Sequence, residues 1–158
     1  MKRKFQYPPS VVGTTSGYDA VLIGSGDREH PFDTSATNRF YMFKDKGDDT
    51  APLTGTSVTN PTISEDTMFD ATNNCLQDPT ACTGTGVQTN STVAQAALVS
   101  ATGWFITLGT GEKVVGNAVS IAGTTFFNTN QPSAGAGGGS CGANLGIAAQ
   151  YQVSLVDG

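Results

Sequence analysis

The densest group of ionisable side chains in this sequence is Asp27, Arg28, Glu29 and His30, followed at once by Pro31. A general acid and a general base must converge on a substrate from different directions, and neighbours on one turn do this poorly. The group therefore reads as a loop in which Asp27 or Glu29 pairs with Arg28 and His30 bonds to backbone. A second acidic cluster, Asp45, Asp48 and Asp49, surrounds Gly47 and could turn several carboxylate oxygens toward calcium. Calcium takes about 6 to 8 oxygens, and no D-x-[DN]-x-[DN]-G run is present, so a solvated hairpin end is the competing reading. Ser25 lies between Gly24 and Gly26 but lacks the wider G-x-S-x-G elbow, and the sole histidine precedes a proline, which argues against a serine hydrolase.

Cys75 and Cys82 bracket a short polar loop. They suit a disulfide, which implies an oxidising compartment, or half of a zinc site, for which Cys141 and His30 are the only further ligands of the usual type. The disulfide is the stronger reading because zinc wants four such ligands and these two lie far off in sequence. Cys141, within a glycine-rich stretch, then has no evident partner.

The elements that must position these residues are strands. Charged residues make up only 13% of the 158 residues, glycine reaches 20, and threonine, serine and asparagine are abundant, a mixture that favours strands and turns over surface helices. The formal charge of -5 argues against nucleic acid as a partner, since phosphate binding needs clustered Lys and Arg. The only basic cluster, Lys2, Arg3 and Lys4, leads into Phe5, Gln6, Tyr7, Pro8 and Pro9 rather than into the apolar run of an export signal. No stretch approaches the ~20 consecutive apolar residues of a membrane span, so the chain is not expected to be transmembrane.

Self-similarity between the two ends organises the rest. Near the start, Ser10 to Val12 lead to a turn, then residues 20–26 (AVLIGSG), a polar loop and 39–45 (RFYMFKD). Near the end, 116–121 (GNAVSI) lead to Ala122 and Gly123, then 124–130 (TTFFNTN), a polar loop and 151–156 (YQVSLV). Each unit reads as strand, tight turn, strand, longer loop, strand. Period-two alternation puts Phe40, Met42 and Lys44 on one face and Arg39, Tyr41, Phe43 and Asp45 on the other. A small antiparallel sheet cannot cover both its own faces and must stack on a neighbour, which is how propeller blades are built. The expected fold class is thus all-β, a partial β-propeller of about two blades of antiparallel strands, with a β-sandwich or two unrelated hairpins as alternatives.

The expected organisation is a blade-like unit at 8–49, a loop and helical insertion at 50–102, and a second blade-like unit at 103–158. Within the insertion, Thr62 to Glu65 match a capping box opening a short helix through Asp66, Met68, Phe69 and Ala71. Residues 93–101 (VAQAALVSA), capped by Ser91 or Thr92, predict a second helix before a strand at 104–108 that buries Trp104 and Phe105. Residues 50–60 are polar and turn-rich, and 132–142 are mostly glycine, alanine and serine, a composition that cannot bury apolar area.

The run 18–30 (YDAVLIGSGDREH) with Pro31 and 38–44 (NRFYMFK) closely resembles the C-terminal propeller of PilY-type proteins, the type IV pilus tip-associated factors. Residues 103–108 (GWFITL), 111–116 (GEKVVG), 123–132 (GTTFFNTNQP) and 141–146 (CGANLG) look like the following part of the same domain. The resemblance implies a non-enzymatic structural and adhesive protein, exported through the periplasm to the pilus tip, outer membrane or cell surface, and supporting pilus biogenesis, twitching motility and attachment. Its implied partners are the remainder of the propeller, minor pilins and other pilus subunits, and a host or abiotic surface. The family's calcium loop has no counterpart in this sequence, so calcium control does not carry over and no cofactor is expected. The abrupt start and the ending at Asp157 and Gly158 suggest a fragment of a longer product. The alternative from another class is a fragment of a quinoprotein (PQQ-type) propeller dehydrogenase.

Overall fold

The computed structural model describes residues 3–46, 63–133 and 146–158. Asp48, Asp49, Thr62, Cys141, all of 50–60 and most of 132–142 therefore lie outside the described residues. The chain is mostly β, with two open sheets and one α-helix among the described residues.

The first sheet begins as an antiparallel meander of β1 (Ser10–Gly13), β2 (Asp19–Gly24) and β3 (Arg39–Asp45). The period-two pattern is realised in the register: Leu22 lies opposite Met42 and Gly24 opposite Phe40, while Val21 faces Phe43 and Ile23 faces Tyr41. β5 (Gly103–Thr107), read from sequence with the second unit, completes this first sheet by pairing antiparallel with β3. Gly103 is required at that junction, because a Cβ there would lie 2.0 Å from the Met42 carbonyl oxygen.

The expected helix through Asp66, Met68, Phe69 and Ala71 is not formed. Ser64 caps a single 3-10 turn over Glu65–Thr67, and Phe69–Asp70 then run as β4, parallel to β5. Burial outweighs the capping signal here, since a strand carries Phe69 beside Trp104 into the core. The second helix exists as α1 (Ser91–Ser100), but its cap is Asn90, whose side chain accepts from the Val93 amide, rather than Ser91 or Thr92. Its other end is closed by Lys44, whose ammonium donates to the Leu98 and Ala101 carbonyls at 2.6 and 3.0 Å.

The second sheet is built on β8 (Thr124–Gln131). β6 (Lys113–Val114) and β7 (Val119–Ile121) share one of its edges, and β9 (Ile147–Ser154) takes the other. The third strand of this unit thus starts and ends earlier than 151–156. Ala122 and Gly123, both at positive φ, make the tight turn between β7 and β8. β7, β8 and β9 form an antiparallel meander with the strand order of β1, β2 and β3.

The two sheets and α1 share one core. Leu22, Phe40, Met42, Phe69, Trp104 and Ile106 enter it from the first sheet, Phe127 and Leu155 from the second unit, and Ala94 and Leu98 from the helix. Phe40 stacks on Phe127 with ring centroids 3.9 Å apart, and the Trp104 indole N–H donates to the Leu155 carbonyl at 3.2 Å. Backbone approaches closely where β2 meets β6: a Cβ on Gly24 would lie 2.4 Å from Val114 Cγ2.

Candidate functional site

The loop expected to pair Asp27 or Glu29 with Arg28 is wired differently. The Gly26 amide donates to the Lys4 carbonyl, which lays the N-terminal segment beside the loop. Lys4 Nζ then reaches Asp27 Oδ2 at 2.7 Å and Glu29 Oε2 at 3.6 Å, His30 Nδ1 lies 2.9 Å from Asp27 Oδ2, and Arg28 turns to the Tyr7 hydroxyl. The Lys4 hydrogen bond, aided by His30, holds the Asp27 carboxyl down at about 2. The ligand atoms of Asp27, Glu29 and His30 lie within 4.8 Å of one another, but the Lys4 ammonium already satisfies both carboxylates. Ser25 is fully buried and fixes backbone, accepting from the Arg39 amide at 2.9 Å.

Of the calcium candidates, Asp45 sits at the end of β3 opposite Asp19 of β2, an arrangement of like charges at a sheet corner; Asp48 and Asp49 are outside the described residues. Cys75 and Cys82 are joined as a disulfide with Cα atoms 4.7 Å apart, which removes both from any zinc site.

Two clusters escaped the sequence reading. The first lies where the sheets meet. Glu112 is buried and accepts from the Gly109 amide at 2.7 Å, the Thr129 hydroxyl at 2.5 Å and the Tyr151 hydroxyl at 3.0 Å. Its neighbour Lys113, equally buried, donates to the carbonyls of Pro31, Asp33 and Gly111 at 2.7 to 3.0 Å. Burial pulls the Lys113 pKa down against the attraction of Asp33 and Asp27, and burial with the Glu112 charge pushes the Tyr151 phenol up to about 12. These bonds fasten loops 31–33 and 109–111 to β8 and β9, a positioning role. Consecutive Glu and Lys in a glycine-flanked segment give no local signal of burial, since charged residues are buried only where distant partners receive them.

The second cluster lies on the face of the first sheet turned away from the core. Tyr41, Phe43 and Phe105 project there, and Phe5 packs against Tyr41 with ring centroids 6.0 Å apart. Glu65, delivered by the 3-10 turn, receives Arg3 at 2.6 Å, Arg39 at 2.5 Å and the Tyr41 hydroxyl at 2.5 Å, and the Arg39 guanidinium covers the Phe105 ring at 4.1 Å. Burial works to raise the Glu65 pKa, but the Tyr41 hydrogen bond and the two guanidinium charges outweigh it and hold the carboxyl below its ordinary value. Burial, then the bond to Glu65, pushes the Tyr41 phenol up to about 12. Beside this cluster opens a groove where Arg3, Ser64 and Glu65 of its polar side meet Phe5, Tyr41, Phe43, Ile63 and Met68. Phe5 and Ile63 remain 49% and 40% exposed, so the groove presents uncovered apolar surface.

Each ionisable group of these clusters is engaged in holding chain segments together. Tyr41 and Phe105 are buried beneath this ion-paired cluster, and the apolar surface left exposed beside it is that of Phe5 and Ile63. Comparison with known proteins returns no match to a family model, to a curated protein or to a solved structure.

Proposed function

We propose that this chain is a non-enzymatic structural and adhesive module of the PilY type, part of a β-propeller exported to the type IV pilus tip or cell surface. The reading rests on the residues that resemble that family and on one structural observation. Two meanders of the same strand order stack through a shared core, while the outer face of the first sheet is also aromatic, with Tyr41 and Phe105 buried under Arg39, Glu65 and Phe5, and with Phe5 and Ile63 left partly exposed at its groove. A sheet that is apolar on both faces calls for a neighbour on each, as a propeller blade does. The disulfide between Cys75 and Cys82 agrees with export to an oxidising compartment. No described helix is long and apolar enough to cross a membrane.

Replacing the exposed groove residues Phe5 and Ile63 by serine in the chromosomal copy of a piliated bacterium that encodes the protein tests the reading. Loss of twitching motility and of attachment to abiotic surfaces, with the protein still exported, is the expected result. Undiminished motility and attachment, or quinone-dependent dye reduction by the purified protein, would overturn it.

A further inference from the structure

β9 is the longest edge strand among the described residues and the least protected. It pairs with β8 over eight residues, from Thr124 opposite Ser154 to Gln131 opposite Ile147, and no described strand pairs with its other edge. By contrast the edges of the first sheet are β1, of four residues, and β4, of two. Proteins blunt a long open edge with lysine, proline, bulges or inward charges, because its free amides and carbonyls template pairing with another chain. β9 reads IAAQYQVS and carries no charge, no proline and no glycine; β7 and β8 carry no charge either. No electrostatic repulsion guards this edge, although the chain has a net charge of -5.

The side chains name the occupant. Register with Thr125, Phe127 and Thr129 places Val153, Tyr151 and Ala149 on the core side of the sheet, and Ile147 continues that row. Yet Ile147 is 61% exposed and Ala149 is exposed too, so the inner row runs past the core that should cover it. A two-fold axis through Gln150 and perpendicular to the sheet lays a second β9 antiparallel to the first with both inner faces on the same side. Ile147 of each copy then stands opposite Val153 of the other, Ala149 opposite Tyr151, and Ala148 opposite Gln152. Each of these three kinds of pair sets small against large or apolar against apolar, the complementarity that cross-strand pairs reward, and the central pair sets the two uncharged Gln150 side chains together.

We infer that β9 is a pairing edge whose occupant is the β9 strand of a second copy of this chain, joined antiparallel about Gln150 into one continuous sheet. The inference is independent of the pilus reading, since it uses only the edge and its side chains.

Gln150 is exposed, lies opposite Asn128 within the sheet, and meets its own counterpart on the axis, so its charge can be changed without entering the core. Sedimentation velocity of the 158-residue chain across a dilution series should show a reversible doubling of mass. Gln150→Lys and Gln150→Glu should each abolish the doubling, because like charges directly opposite oppose pairing, and an equimolar mixture of the two should restore it. Unchanged far-ultraviolet circular dichroism of both variants reads the fold separately. A chain that stays monomeric at the highest soluble concentration overturns the inference. So does a dimer or larger aggregate that both charge variants leave intact, since association would then use another surface, and so does a mixture that fails to recover the dimer.

Discussion

The two sheets differ in how they meet water. The strands of the first carry Asp19, Arg39, Lys44, Asp45 and Asp70 around an aromatic outer face, whereas β7, β8 and β9 carry no charge at all. The first sheet ends in short edge strands and buries Tyr41 and Phe105 beneath the ion-paired cluster of its outer face, with Phe5 and Ile63 partly exposed; the second leaves a long edge open. Two units of the same strand order thus have different uncovered surfaces: strand order sets the architecture, and the side chains set which side remains available for a partner.

The contact between sheets is the first place to break this contrast. Phe127 points into the core and Phe126, its neighbour on the outer face, is half-buried. Phe127→Ala should cost about 3 to 5 kcal/mol in urea unfolding and Phe126→Ala much less; equal costs would mean that the two faces of the second sheet are not distinct. Replacing both Cys75 and Cys82 by alanine should cost about 2 to 3 kcal/mol by the chain-entropy argument for a short loop, read as a lower urea midpoint with an unchanged slope. Gly24→Ala should cost about 1 to 3 kcal/mol, because the added Cβ meets Val114 across the junction of β2 and β6. Asn90→Ala, which removes the cap of α1 alone, should cost about 1 kcal/mol and leave the sheets unaffected in near-ultraviolet circular dichroism.

The pH dependence at the alkaline end sharpens the contrast without altering stability at neutral pH. The folded phenols of Tyr41 and Tyr151 sit at about 12 against an ordinary value of 10.0, so the protonated forms are favoured in the folded state. A raised pKa contributes stability that is fully present below pH 10 and is lost as pH climbs through about 12. The melting temperature should fall across that window, and Tyr151→Phe should flatten the fall by removing the phenol beside Glu112.

Strand placement was legible because alternation is a local signal. Residues 39–45 gave β3 with both faces correct, and the apolar run 21–23 ended by Gly24 and Gly26, with the Phe126 and Phe127 pair, marked β2 and β8. The helix through Met68 and Phe69 failed because a capping signal speaks only for the first turn, and the chain beyond it follows the burial of Phe69 beside Trp104. The placement of β5 in the first sheet could not be read, since nothing within 103–107 states which strand it will meet. The same limit hid Glu112 and Lys113, whose partners at Tyr151, Thr129, Pro31 and Asp33 lie 17 to 82 residues away. The Lys4 partnership of Asp27 was missed for the converse reason: sequence neighbours such as Arg28 look like partners until the backbone turns them apart.

The two like-ordered meanders are welded through one core. Native-state hydrogen exchange resolved by residue tests it most directly. The slowest amides of β3, β5 and β8 should share one opening free energy and one denaturant slope, because these three strands carry the mutually packed rings of Phe40, Trp104 and Phe127. Two separate exchange classes, with β8 opening while β3 and β5 stay protected, would contradict it.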